Sequence, residues 1–311
     1  MTSQRHIIVI ATGIVLLAIA CLADITWGGY AGSDILLHLR LPRTATALLA
    51  GAAMALSGSQ MQSIFRNPLA DPHIMGISSG AALGAALATM HTGAALAGMS
   101  IAISASIGAA GAAGIILYAS GRFRNASILL IFGVMLGFII TAIVSILQFS
   151  SDAESLKSFF SWSAGSFSNT TWGETAIIAC TLAAGLIIAL FNHKGLDLIL
   201  FGDEFTELSG GFPSKIRLSA LLSCSLMTGA VTAFCGPVGF VGIIGPHIAK
   251  ALLGTSAHKA VLPASLLTGG LIGVCADLIS RMTPSPMPVA STMALLGIPV
   301  ILYIMLKRPE L

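Results

Sequence analysis

The chain has 311 residues, of which 56% are hydrophobic and only 9% charged, with a formal net charge of +3. A soluble domain carries roughly a quarter charged residues, so this composition and a mean hydropathy of +0.94 exclude that class and point to an all-α polytopic membrane protein. No basic cluster interleaves with aromatics, which argues against nucleic-acid binding, and the five cysteines lie singly in apolar segments without metal-ligand spacing.

In chain order, Arg5 and His6 precede an apolar run from Ile7 to Ala23 that leads on to Trp27 and Tyr30, residues suited to a membrane interface. Leu17-Ala18-Ile19-Ala20-Cys21 loosely resembles a lipoprotein cleavage site. The run is longer than a signal-peptide core, so an uncleaved first span over about Ile7–Thr26 is expected. Arg40-Leu41-Pro42-Arg43 then leads into an uncharged stretch, Thr44–Phe65, the length a helix needs to cross a bilayer. Gly51, Ala55 and Gly58 give this second span a nearly bare face, which allows close backbone packing in lipid. It ends at Arg66 and a two-proline turn, Asn67-Pro68-Leu69-Ala70-Asp71-Pro72, that cannot continue a helix.

A third span is expected from near Ile74 to His91-Thr92-Gly93, and a fourth over about Ala95–Tyr118 before Gly121-Arg122-Phe123-Arg124. The fifth, about Ala126–Phe149, has a second close-packing face in Gly133 and Gly137. A polar segment runs from Ser150 to Thr171, and a sixth span covers about Thr175–Phe191. After a polar loop over about 192–217, four more spans are expected: Leu218–Phe234, Phe240–Leu253, Val261–Ile279 and Val289–Leu306. The whole chain, 1–311, reads as one transmembrane domain of about ten helices with no internal repeat.

With the N-terminus cytoplasmic, eleven of the fifteen basic residues fall on the inner side; Arg40, Arg43, Lys157 and Arg281 fall outside. That bias obeys the positive-inside rule and places both termini in the cytoplasm. The exceptions leave two readings open. The arginines either snorkel to lipid phosphates or form a docking surface for an acidic partner, to which arginine is suited by bidentate carboxylate pairing. Within the 192–217 loop, Gly202 to Gly210 reads as a short helix. Asp203 and Glu204 favour its N-terminus and Gly210-Gly211 can end it, while Phe205 and Leu208 share one face. Such a helix suits insertion into a partner's groove.

Three strings carry a family resemblance: the Arg40–Arg43 entry with the Gly/Ala-rich helix bearing Gln60 and Gln62; the Asn67–Pro72 turn; and Gly236-Pro237-Val238-Gly239-Phe240 through Gly245-Pro246-His247-Ile248-Ala249-Lys250. With Phe160–Ser166, Ala276-Asp277-Leu278-Ile279-Ser280-Arg281 and Leu296-Gly297-Ile298-Pro299, the chain from Arg40 to Arg308 resembles the permease subunits of bacterial type II ABC importers for iron-siderophores, haem and vitamin B12, the FecCD type. Departures are Thr206 and Ser209 where alanine and leucine are usual, Lys250 for arginine, and a Pro286–Ala290 string without the usual glutamate and glycine.

The resemblance implies a multi-pass protein of the bacterial inner membrane, paired with a second, identical or closely similar permease subunit. Two copies of a cytoplasmic ATPase carry the ATP and Mg, a periplasmic binding protein delivers the substrate, and this chain binds no cofactor. It further implies that Arg40, Arg43 and Arg281 receive glutamates of the binding protein. Asp203, Glu204, Phe205, Glu207, Leu208 and Gly210 belong to the coupling helix against the ATPase. Asn67, Pro68, Leu69 and Ser127 belong to a cytoplasmic gate.

The sequence has no G-x-x-x-x-G-K-[ST] phosphate loop and no H-E-x-x-H, so neither ATP hydrolysis by that machinery nor a zinc-peptidase chemistry is expected here. His247, beside Pro246, reads as a structural histidine rather than a ligand. The alternative is an ion-coupled secondary transporter of a metal chelate, which would need acids near the bilayer midplane. Asp277 is the acid that comes nearest to such a place.

Overall fold

The computed structural model describes residues 2–27, 32–91, 100–123, 125–282 and 287–307. Tyr30, Thr92, Gly93, Ala95, Arg124, Pro286 and Arg308, named above, lie outside them. The described residues form twelve α-helices longer than one turn and no strand. These are α1 (Thr2–Thr26), α2 (Leu41–Phe65), α3 (Ile77–Ala86), α4 (Ile101–Arg122), α5 (Ala126–Phe149) and α6 (Ala153–Ser163). The second half adds α7 (Trp172–Ile199), α8 (Asp203–Leu208), α9 (Pro213–Cys235), α10 (Val241–Leu253), α11 (His258–Ser280) and α12 (Val289–Lys307).

Six helices are long and apolar enough to cross a bilayer: α1, α4, α5, α7, α9 and α11. The apolar α3, α10 and α12 are shorter, and α2 is long but rich in Gly, Ser and Gln. These ten lie where the ten spans were expected. On the outer helices the exposed side is apolar, as Phe138, Ile146 and Phe149 of α5 show.

The bundle is organised around α2, which is buried without interruption from Ala50 to Phe65 and packs on α7, α9, α10 and α11. Its glycines explain the burial. A Cβ at Gly51 would lie 2.2 Å from the Gly269 carbonyl oxygen, and one at Gly58 would lie 1.8 Å from that of Gly242. Backbone therefore meets backbone, with Ala55 fitted between Gly245 and Gly269. The α5 glycines act likewise: Gly133 and Gly137 admit the turn at Gly76, whose φ of +81° a side chain would oppose.

Boundaries moved where polarity was taken for a helix end. The sixth span, expected to stop at Phe191, continues as α7 to Ile199, and Asn192 caps no end but donates to the Ile216 carbonyl at 3.0 Å. Residues 192–194 are polar within a continuing helix, so polarity here does not mark its end. The expected 192–217 loop shrinks to 200–212, since α9 starts at Pro213, a residue compatible with a first turn. The polar segment after α5 contains α6, started by Asp152, whose carboxylate accepts from the Glu154 and Ser155 amides at 3.0 and 2.9 Å. Those amides and the Ser155 hydroxyl hold the Asp152 carboxyl below the usual carboxylate range.

Candidate functional site

The sequence-predicted residues gather at the two ends of α2, whose 25 residues separate them by about 37 Å at 1.5 Å per residue. At its N-terminal end three helix ends meet: the end of α1 with Asp24, the start of α2 with Arg43 and Thr44, and the end of α11 with Asp277, Ser280 and Arg281. Arg43 grips Asp277 through Nε at 2.8 Å to Oδ2 and Nη2 at 2.9 Å to Oδ1. Arg281 Nη2 bonds the Asp24 carboxylate and donates to the Asp24 carbonyl at 2.8 Å, and it lies 3.4 Å from Asp277 Oδ2. Thr44 Oγ1 donates to the other Asp24 oxygen at 2.5 Å. Both aspartates are fully buried, whereas the Arg43 and Arg281 side chains keep 16% and 14% of their surface. Arg40 donates from Nη1 to the Ile25 carbonyl at 2.9 Å.

Arg43 and Arg281 are thus each paired with an acid on a neighbouring helix, whereas Arg40 meets a backbone carbonyl. Asp277 had been singled out from the sequence, but Asp24 had not. Its one signal was a charge inside the otherwise apolar first span.

At the other end, α2 stops on Arg66, a non-glycine residue at φ +50°. The turn after it is built from two side-chain caps: Asn67 Oδ1 accepts from the Leu69 amide at 2.9 Å, and Asp71 Oδ1 from the His73 amide at 2.8 Å. This matches a stiff reversal more closely than the prolines alone would. Asn67 and Pro68 are half-buried, Leu69 is exposed, and Ser127 is exposed at the start of α5.

Beside this turn stands α8, where the short helix was expected. Leu208 is 90% exposed and Phe205 46%, the Phe205 ring leaning on Phe201 with centroids 5.2 Å apart. Glu204, Glu207 and Gly210 are exposed, and Thr206 is buried with its hydroxyl turned back to the Gly202 carbonyl at 2.7 Å. That explains why a small β-branched residue fits there. Asp203 is half-buried and not free: it is paired at 2.5 and 2.6 Å with Arg217, which is 97% buried in α9.

A cleft of about 680 Å³ lies between α8 and the start of α5, lined by Arg66, Asn125, Ala126, Phe201, Glu204 and Leu208 among others. It takes the neighbours of the expected gate residues rather than Asn67, Leu69 or Ser127 themselves.

Another group was not anticipated. Asp197, near the end of α7, accepts from the His258 amide at 2.9 Å and meets its Nδ1 at 2.6 Å; His258 Nε2 lies 2.6 Å from Ser63 Oγ in α2. Ser63 and His258 are buried, so this chain of bonds ties α7, α11 and α2 together rather than facing a substrate. Lys250 donates to Gln62 Oε1 at 3.0 Å, and His247 Nδ1 contacts the Ile243 carbonyl at 2.7 Å. No group of three metal-ligating side chains occurs among the described residues.

Comparison with known proteins places this arrangement. The model of the FecCD transport family matches residues 5–307. The hemin transport system permease protein of Yersinia pestis is 34% identical over 283 residues, which span 89% of this chain and 84% of the relative. The vitamin B12 import system permease protein of Klebsiella pneumoniae is 33% identical over 90% of this chain and 85% of its own. The iron(3+)-hydroxamate import system permease protein of Bacillus subtilis is 31% identical over 87% and 71%. Among solved structures, an inward-facing one described as a metal-chelate type ABC transporter superposes with a TM-score of 0.87 at 29% identity, covering 96% of this chain and 98% of that one.

Proposed function

The chain belongs to the FecCD transport family, and we propose that it is the permease subunit of an ATP-driven importer that carries a metal chelate (haem, an iron-siderophore or cobalamin) into the cytoplasm. Two such subunits, identical or closely similar, enclose the path in the bacterial inner membrane with their termini on the cytoplasmic side. A binding protein delivers substrate to the end bearing Arg40, Arg43 and Arg281, and two ATPase subunits bind at α8. ATP and Mg stay on those subunits.

The observation that carries the reading is α8: a six-residue helix that offers Leu208 and Phe205 outward while buried Arg217 pins its first residue to α9. An exposed apolar pair on a firmly mounted short helix suits a partner's groove and can pass that partner's movement into the bundle. Displacement of α8 reaches α9 through Arg217. It reaches the α2 end through Gly202, at which a Cβ would lie 3.3 Å from Arg66 Nη1. There the Asn67–Leu69 turn and the Ser127 region of α5 open or close the cytoplasmic side of the path.

An ion-coupled carrier would need an acid able to take up and release an ion near midplane. Among the described residues the two fully buried aspartates of the spans, Asp24 and Asp277, sit at helix ends and are each paired with an arginine. Co-purification of this chain with the ATPase and binding protein encoded beside it, followed by ATP-dependent chelate uptake, tests the proposal. A chain that binds neither protein would overturn it.

A further inference from the structure

Resting on the reading that the Arg43/Arg281 end receives carboxylates of a binding protein, we propose that Asp24 and Asp277 are positioning residues for that docking. They fix the two guanidiniums in one presentation before the partner arrives.

The argument starts from cost. Two buried carboxylates are expensive to place in an apolar bundle, and well-packed apolar side chains would stabilise it as well or better. They also remove positive charge from a face that is to attract an acidic partner. Arginine side chains have many rotamers, and a docking arginine free in water loses that freedom on binding. Here the loss is taken on folding instead. Asp277 occupies the Nε–Nη2 edge of Arg43 and touches Arg281, and Asp24 holds Arg281 by carboxylate and carbonyl together. Asp24 is itself locked by Thr44.

The two arginines come from α2 and α11, 238 positions apart in sequence, yet they share Asp277, so their spacing is set by one carboxylate. Each retains a minor exposed part, 16% and 14%, through which a partner's carboxylate can reach a guanidinium already oriented.

The inference has a sign opposite to simple charge attraction. Neutralising an aspartate makes the face more positive, which by attraction alone would tighten capture. By positioning, capture weakens. The permease in nanodiscs would be tested by surface plasmon resonance against the substrate-loaded binding protein encoded beside it. Asp277→Asn should raise the dissociation rate by about tenfold with the association rate equal or higher, and Asp24→Asn should act in the same direction. Asp277→Glu, which keeps the charge and moves it by one methylene, should also speed dissociation, and it keeps the test alive should the amide variants fail to fold.

Variants that dissociate as slowly as wild type overturn the inference. So does a loss of binding-competent permease with an unchanged dissociation rate, which is the mark of a merely structural role. A wild-type permease that captures no binding protein removes the docking reading itself, and the inference with it; the two failures are told apart by that control.

Discussion

Leu208 gives the proposed ATPase contact its most quantitative test. The side chain is 90% exposed, so nearly all of its apolar surface is still available to a partner. Fully burying a leucine is worth about 1.5–3 kcal/mol, and Leu208→Ala should therefore cost about 2 kcal/mol per α8 contact, roughly a thirtyfold weaker ATPase affinity. Phe205 is 46% exposed and shares its ring surface with Phe201, so about half of its area remains for the partner. Phe205→Asp would remove that area and also require a carboxylate to be buried in the groove, a cost of several kcal/mol, and retention should vanish. The assay is titration of nanodisc-held permease with labelled ATPase, read together with substrate-stimulated ATP hydrolysis. Ile177→Ala, on the exposed side of α7, serves as the control that should change neither. An affinity for Leu208→Ala within about twofold of wild type, with Phe205→Asp still retained, would refute the reasoning.

Arg217→Met should leave the protein inserted but loosen α8, because Asp203, one-third exposed, can hydrate once its partner is gone. A cost to stability of about 1–3 kcal/mol is expected, with ATP hydrolysis no longer stimulated by substrate. Gly58→Leu should abolish the folded, monodisperse permease, since even a Cβ there collides with the Gly242 carbonyl. Gly111→Ala, with no atom within 4 Å, should be silent in the same thermal-unfolding measurement. Leu69→Ala, alone or with Asn67→Ala, should let chelate leak from proteoliposomes without ATP. A cysteine at position 69 in both subunits should cross-link and block uptake reversibly. Tight vesicles together with no cross-link in any nucleotide state would remove this turn from the gate.

Much of the fold can be read in the sequence because membrane helices are long apolar runs bounded by charge, and because glycine and alanine at spacings of three and four mark close packing. The Gly51/Ala55/Gly58 face was legible for that reason, and it proved to be where α2 meets α10 and α11. The short helix α8 was legible from its acids, its apolar pair and its two closing glycines. Where polarity and helix end do not coincide, the same reasoning misplaces boundaries, as at Asn192 within α7. It also overlooks an amphipathic surface helix such as α6, whose Phe159 alone is buried.

The least legible features were pairings. Asp24 lies 257 positions from Arg281 and Asp277 lies 234 from Arg43, and a single sequence carries no signal that joins residues so far apart. The Asp197–His258–Ser63 chain is hidden for the same reason, with each residue ordinary in its own segment. Arg43 and Arg281 stand out in the sequence, but their acidic partners could be found only by folding the chain.

The central claim is that transport through this chain is driven by ATP on a partner. Its most direct test is uptake into proteoliposomes that contain the permease and ATPase, with binding protein outside and haem, cobalamin or ferric hydroxamate as cargo. The account predicts accumulation of one of these chelates only when all three proteins and internal Mg-ATP are present, unaffected by collapse of proton and sodium gradients. Accumulation by the permease alone, driven by an imposed ion gradient without ATP, would contradict it.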